Sequence, residues 1–201
     1  MTAPLHAKHR MLATRLRRED AASQIVEFAV ALPLLVVFVV GIFDFSGAFT
    51  LKQKLTNAAR EGARAAAAGP ASDLTNPSTT PPVPASVTDA FWVVDNYLNS
   101  EQINDCGLNT ATGIRSGQKL KWTYSAKGNG CPGSGNGVTL TINRGCVAQS
   151  VGATTVNVVG TCVNIKYSYQ WRFQSVITLL VPATYQGVTD LSASAAALNE
   201  N

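Results

Sequence analysis

The chain reads as an α+β protein: a long N-terminal membrane-spanning helix continuing into an exported antiparallel-sheet domain with a short second helix. Three observations predict this. An uncharged apolar run lies near the N-terminus, residues 28–43. The hydrophobic period then lengthens to that of an amphipathic helix, and in the second half it shortens to two. All four cysteines follow the apolar run and none precedes it.

The apolar run comes first. From Phe28 to Phe43 there is no ionisable side chain, and Ile25 and Val26 extend the run on its N-terminal side. With those additions it approaches the length that crosses a hydrocarbon core of about 30 Å. A buried core helix can be equally apolar, but it rarely follows directly on a basic cluster such as Arg15, Arg17 and Arg18. The membrane segment is placed at about residues 25–45. Glu27 sits at its lip, where a carboxylate deep in a bilayer costs on the order of 2.5–3.5 kcal/mol. Two accounts of Glu27 stand: solvation among the headgroups, or a cationic partner inside an assembly.

Ahead of this run, residues 1–22 form a basic leader carrying Lys8, Arg10, Arg15, Arg17 and Arg18. Positive charge on this flank favours an N-terminus kept in the cytoplasm. Lys52, Lys54, Arg60 and Arg64 follow the run closely, so charge alone separates the flanks weakly. The net charge of +4 is concentrated at these flanks, and no basic patch interleaved with aromatics follows. Nucleic acid is therefore not an expected partner. His6 and His9 are the only histidines, and both lie in the leader.

From Ser23 to Ala68 the one proline is Pro33, and the composition favours helix throughout. One helix over residues 23–68 would extend roughly 70 Å. Pro33 removes a backbone donor and is expected to bend the helix within the membrane. Beyond Asp44, the residues Leu51, Leu55, Ala58, Ala59, Gly62 and Ala66 recur at helical spacing and form a narrow, small, apolar face. That face suits close packing, either on the chain's own domain or on another subunit. Gly69-Pro70 ends the helix.

Five of the nine prolines fall between Gly69 and Ser86, which reads as an extended linker or long surface loop over residues 69–86. The exported domain, 87–201, opens with a short amphipathic helix on which Val87, Phe91, Val94 and Leu98 share a face and Asn99 closes the end. Val163, Ile165, Tyr167, Tyr169, Trp171 and Phe173 then alternate with polar residues, the pattern of a half-buried antiparallel strand. Core packing is the favoured role of that aromatic stripe over a ligand platform. Val138, Leu140 and Ile142 mark a second strand; 119–125, 154–159 and 175–181 are further candidates.

Cys106, Cys131, Cys146 and Cys162 lack the paired Cys-x-x-Cys spacing of zinc sites, so two disulfides in an oxidising compartment are expected rather than a metal. Three pairings are open, and the sequence does not choose among them. Cys106 with Cys131 and Cys146 with Cys162 is taken as the working expectation. Gly128, Gly130 and Gly133 formally match G-x-G-x-x-G, but Cys131-Pro132 interrupts the motif and no helix pattern opens there, so no nucleotide or other cofactor is expected. No Walker loop, H-E-x-x-H or G-x-S-x-G occurs, and an enzyme is not expected.

Three separated blocks carry a family resemblance: Ile25-Val26-Glu27-Phe28-Ala29-Val30-Ala31-Leu32-Pro33-Leu34-Leu35, then Gly41-Ile42-Phe43-Asp44-Phe45, then Asn57-Ala58-Ala59-Arg60-Glu61-Gly62-Ala63-Arg64. In this order they resemble the N-terminal region of TadE-like minor pilins, components of the Tad subclass of type IV pili. The resemblance covers about a quarter of the chain. It implies a minor pilin or pseudopilin of the cell membrane, single-pass, with the N-terminus cytoplasmic and the C-terminal domain outside the cytoplasm. It also implies partners: other pilin subunits, the pilus assembly machinery and a prepilin peptidase cutting between Ala22 and Ser23. Glu27 would then be the fifth mature residue and Phe28 would follow it. Pilin-type sites generally have glycine before the cut, where this chain has Ala22. By the same resemblance, Glu27 would pair with the free amine of a neighbouring Ser23, and Glu27 and Pro33 would serve helix assembly. An alternative from the residues alone is a secreted or signal-anchored extracytoplasmic binding domain whose signal peptide ends at Ser46-Gly47-Ala48.

Overall fold

Between Leu5 and Ala68 the only helix breakers are Gly41, Gly47, Gly62 and Pro33, and Ala, Leu, Val and Arg dominate the rest. The chain accordingly forms one helix, α1, over Leu5–Ala68, and it remains helical across Pro33. It starts ahead of the expected Ser23, because residues 5–22 contain neither Gly nor Pro and Pro4 precedes them. The computed structural model describes residues 5–74, 83–115, 120–128, 130–133, 135–148, 158–173 and 187–199, with side chains from Ser23 onward except at 147, 148 and 158.

The chain divides into two units, 1–45 and 46–201. In the first, the large apolar side chains of α1 from Ile25 to Phe45 are exposed, with Val40 partly so. The second unit holds the remainder of α1, a second helix α2 (Ala85–Ser100), and a five-stranded antiparallel sheet in the order β1 to β5. The strands are β1 Ile114–Arg115, β2 Lys121–Ala126, β3 Val138–Ala148, β4 Val158–Gln170 and β5 Val188–Leu198. The fold class is α+β, as the change of period in the sequence predicts.

The core of the second unit is filled from both helices and the sheet. Leu55, Ala58, Ala59, Ala63 and Ala66 come from α1, Val87, Ala90, Phe91, Val94 and Leu98 from α2, and Trp122, Leu140, Ile142, Val163 and Ile165 from the sheet. The narrow apolar face of α1 therefore packs on the chain's own domain. Gly62 shows why that face must be small: a Cβ there would lie 2.6 Å from Val94 Cγ2 and 3.5 Å from the Ala90 carbonyl oxygen. Helix α2 lacks a side-chain cap of its own at Pro84. Asp73 supplies one from a distance, its Oδ2 accepting the Ser86 N–H at 2.9 Å. At the other end of α2, Lys54 of α1 pairs with Glu101, Nζ to Oε2 3.0 Å.

Strand β4 alternates as expected, burying Val163, Ile165, Tyr167 and Tyr169, while Trp171 is half-buried and Phe173 borders on exposed beyond the strand end. Tyr167 and Tyr169 thus belong to the interior, and burial, with Asp105 nearby, raises the Tyr167 phenol above its ordinary range. The candidate strand 119–125 is β2, displaced by a residue or two. Of candidate 154–159 only Val158 and Val159 are described, as the start of β4, and candidate 175–181 lies outside the described residues. So do residues 75–82 of the proline-rich stretch. Strand β5 has no counterpart in the sequence reading. Its Ala- and Ser-rich run is drawn into strand geometry by eleven paired positions along β4, from Gly160 opposite Leu198 to Gln170 opposite Val188.

Candidate functional site

Two features of α1 bear on function: its exposed apolar stretch, and the means by which its C-terminal end is held. Over the exposed stretch the residues are large and branched. Phe28, Val30, Leu34, Leu35, Phe38 and Ile42 are each about two-thirds exposed or more. Soluble proteins rarely leave such a surface in water, and larger apolar patches mark a partner or a lipid phase. Among the described residues this is the one helix long and apolar enough to cross a membrane.

Glu27 is exposed on this surface. Ser23, Val26, Glu27, Val30, Ala31 and Leu34 line one open groove along the helix, so the carboxylate is set among apolar and small side chains. Ser23 precedes it by four residues and shares its face. Phe28 points from an adjacent face and is exposed. Pro33 lies inside the helix. Ala22 is helical, and its side chain is outside the described residues. The structure therefore groups Ser23 and Glu27, one turn apart on the same helix.

The C-terminal end of α1 is held by a residue that sequence reasoning passed over. The inward alternation of Val138, Leu140 and Ile142 along β3 carries Arg144 to the interior, where it is 1 % exposed. Its Nη1 donates to the carbonyl of Ala66, to Thr161 Oγ1 at 3.2 Å and to Asn199 Oδ1 at 3.4 Å, while Nη2 donates to the carbonyl of Gly69 at 3.0 Å. A guanidinium at a helix C-terminus satisfies carbonyls that have no partner within the helix, and it complements the negative end of the dipole. Burial lowers the Arg144 pKa, and the charge of Asp73 opposes that shift. The one signal in the sequence was a lone Arg continuing an apolar alternation.

A β-bulge accompanies this residue: the register steps from Asn143 opposite Cys162 to Cys146 opposite Gly160, leaving Arg144 and Gly145 against Thr161. The Cys146–Cys162 disulfide closes across the same place, Cα to Cα 5.9 Å. The second disulfide joins Cys106 to Cys131, Cα to Cα 5.7 Å. Both bonds follow the working expectation. Gly137 packs against the second of them, where a Cβ would stand 2.5 Å from Cys106 Sγ. Beside Cys106, Asp95 is buried near Asp105. Burial first, and then the Asp105 carboxylate, pushes the Asp95 carboxyl up to about 6.

Among the described residues no group of three or more His, Cys, Asp or Glu side chains gathers in a way that could hold a metal ion. Strand β2 ends just before Gly128, but among the described residues of the Gly-rich stretch 128–133 no helix opens, so the formal G-x-G-x-x-G match lacks the helix N-terminus that nucleotide binding requires. The geometry offers a membrane-length apolar helix with the exposed carboxylate of Glu27 near one end of its apolar stretch and the buried one of Asp44 near the other, gripped at its C-terminal end by a sheet domain with two disulfides.

No curated protein and no solved structure matches the chain. Residues 22–64, which span the exposed apolar stretch and most of the α1 residues buried in the second unit, match the family model of the TadE-like protein, so this part of the chain is similar to that Tad pilus-associated family.

Proposed function

We propose that the protein is a membrane-anchored minor pilin or pseudopilin contributing to Tad-type pilus assembly. The observation that carries this reading is Glu27 on an otherwise apolar, exposed face of α1, within the residues that match the TadE-like family. In lipid, a carboxylate at this position gains from a cation on an adjoining helix. A charge pair formed there offsets its own desolvation when the geometry is good.

On this reading a prepilin peptidase cuts between Ala22 and Ser23, and the new Ser23 amine of one subunit meets Glu27 of the next. The basic leader stays in the cytoplasm, and the second unit lies outside it, where its disulfides form. Pilin subunits and the assembly machinery are the partners, and the chain does no chemistry of its own. Arg144 keeps the domain attached to the stem that the assembly would draw upon.

The test is Glu27→Ala and Glu27→Gln in the full chain. Both variants are expected to insert in the membrane at wild-type levels and to fail to join or support pili. Normal piliation in either one overturns the reading. The N-terminus of the mature protein supplies an independent check: Ser23 supports a pilin, Phe49 indicates ordinary secretion, and Met1 indicates a signal anchor.

A further inference from the structure

The outer face of the sheet carries a concavity that none of the foregoing uses. Because β4 turns Val163, Ile165 and Tyr167 inward, Lys166 and Ser168 face outward, beside Asp190 of β5 and Thr139 of β3. Gly133, Gly135 and Asn136, which follow Cys131, lie over this face. The Ser168 N–H donates to the carbonyl of Gly137 at 2.9 Å, so Ser168 is only 6 % exposed although it lies on the outward face. The space between loop and strands is about 330 Å³, lined by Asn136, Thr139, Lys166, Ser168, Val188 and Asp190. It lies at the lower end of the size range of small-molecule sites, about 300–1,000 Å³.

Its polar groups are arranged in advance. Lys166 Nζ lies 2.8 Å from Asp190 Oδ2. The Ser168 hydroxyl is within reach of Asp190 Oδ1 at 2.9 Å and of the Asn136 carbonyl at 3.2 Å, and its single proton serves one of them at a time. Hydrogen bonds from Lys166 and Ser168 hold the Asp190 carboxyl below its ordinary range. The covering loop is fixed at its start by the Cys106–Cys131 bond, and Gly133 turns it with φ +91°, a conformation that favours glycine. A rim held in place lowers the ordering cost of binding.

The chemistry selects a neutral ligand. The Lys166–Asp190 pair is neutral as a unit, so an anion brought to Lys166 meets the Asp190 carboxylate and a cation brought to Asp190 meets the Lys166 ammonium. A pair of adjacent hydroxyls avoids that conflict: one accepts from the ammonium while its neighbour donates to the carboxylate, at a spacing similar to that of the two protein groups. Val188 offers a small apolar surface to the C–H side of a ring. We propose that this concavity binds a neutral pyranose sugar through two adjacent ring hydroxyls, held between Lys166 and Asp190. The inference stands apart from the pilus reading and survives its failure.

The test uses the full chain, isotope-labelled, in micelles of a zwitterionic detergent without a sugar headgroup, followed by amide NMR. Methyl glucoside, methyl galactoside and methyl mannoside are titrated separately, with inorganic phosphate and glycine as charged comparisons. At least one pyranoside is expected to shift the amides of Thr139, Ser168 and Asp190 saturably, with a Kd on the order of millimolar. Asp190→Ala and Lys166→Met should each weaken that binding about tenfold or more, while amides in the core keep their positions. Three results would overturn the proposal: no saturable shift with any pyranoside, unchanged affinity in both variants, or saturable binding of phosphate or glycine alone.

Discussion

The two parts of α1 meet opposite fates although they form one helix. Between Ile25 and Phe45 nearly all its large apolar side chains are exposed; between Leu55 and Ala67 its inward side chains are mostly alanine and buried. The sizes are matched to the neighbours. Large side chains pack well against lipid or against other stems that interdigitate with them, while alanine and glycine allow a second helix and a sheet to approach at backbone distance. The first part carries surface that the fold does not satisfy, and the second carries the contacts that hold the domain together. Substitutions in the two parts should therefore separate assembly from stability.

The largest loss of stability is expected from Arg144→Met. It removes the donor to the Ala66 and Gly69 carbonyls and takes the guanidinium from Thr161 and Asn199, which keep their bond to each other, at a cost of about 3–5 kcal/mol. Denaturant unfolding should show it, and hydrogen exchange should rise first in the last turn of α1. If exchange there is unchanged, Arg144 does not hold the helix. Replacing Cys146 and Cys162 by serine opens a loop of sequence separation 16, worth about 3 kcal/mol in the chain-entropy model. Its loosening should spread to the same turn through the bulge, and protection of that turn equal to wild type would separate the disulfide from the cap.

Asp95→Asn acts in the other direction. The fold raises this carboxyl from 3.8 to about 6, so the native state prefers it protonated. That preference is complete below the unfolded value and is lost as pH rises through about 6. The variant should match the wild type in stability below pH 3.8 and exceed it above pH 6 by up to about 3 kcal/mol. A difference that does not vary with pH would refute this account. Gly62→Val drives a side chain into Val94 and the Ala90 carbonyl, an overpacking that costs about 1–3 kcal/mol. The smallest effect belongs to the exposed part: Phe38→Ala should change the unfolding of the second unit by less than about 0.5 kcal/mol, and a larger change would mean that the exposed stretch contributes to the domain's stability.

The legible parts of this protein were those with a strong period or an unusual composition. The apolar run, the β4 alternation from Val163 to Tyr169 and the α2 face of Val87, Phe91, Val94 and Leu98 all reappear in the structure. Strand β5 was illegible because Ser192, Ala193, Ser194 and Ala195 favour helix or coil locally. Its strand state is supplied by the backbone of β4. Arg144 was illegible because its partners, Ala66, Gly69, Thr161 and Asn199, come from remote points of the chain. The grouping of Lys166, Ser168 and Asp190 likewise depends on which strands pair. Glu27 was conspicuous from the start, because a charge at the edge of an apolar run is visible without any fold.

The sequence by itself determined that a membrane-length helix lies towards the N-terminus, that a carboxylate stands at its lip, and that a disulfide-bearing domain of mixed helix and sheet follows. These are local properties, written in hydropathy, helix propensity and the placement of cysteines. The tertiary structure alone decided that the small face of α1 serves its own domain, that the helix ends on a buried guanidinium, and that a strand of alanine and serine closes the sheet edge. Each of those outcomes depends on groups far apart in sequence meeting within hydrogen-bond or van der Waals distance, and short-range pattern carries no information about such meetings.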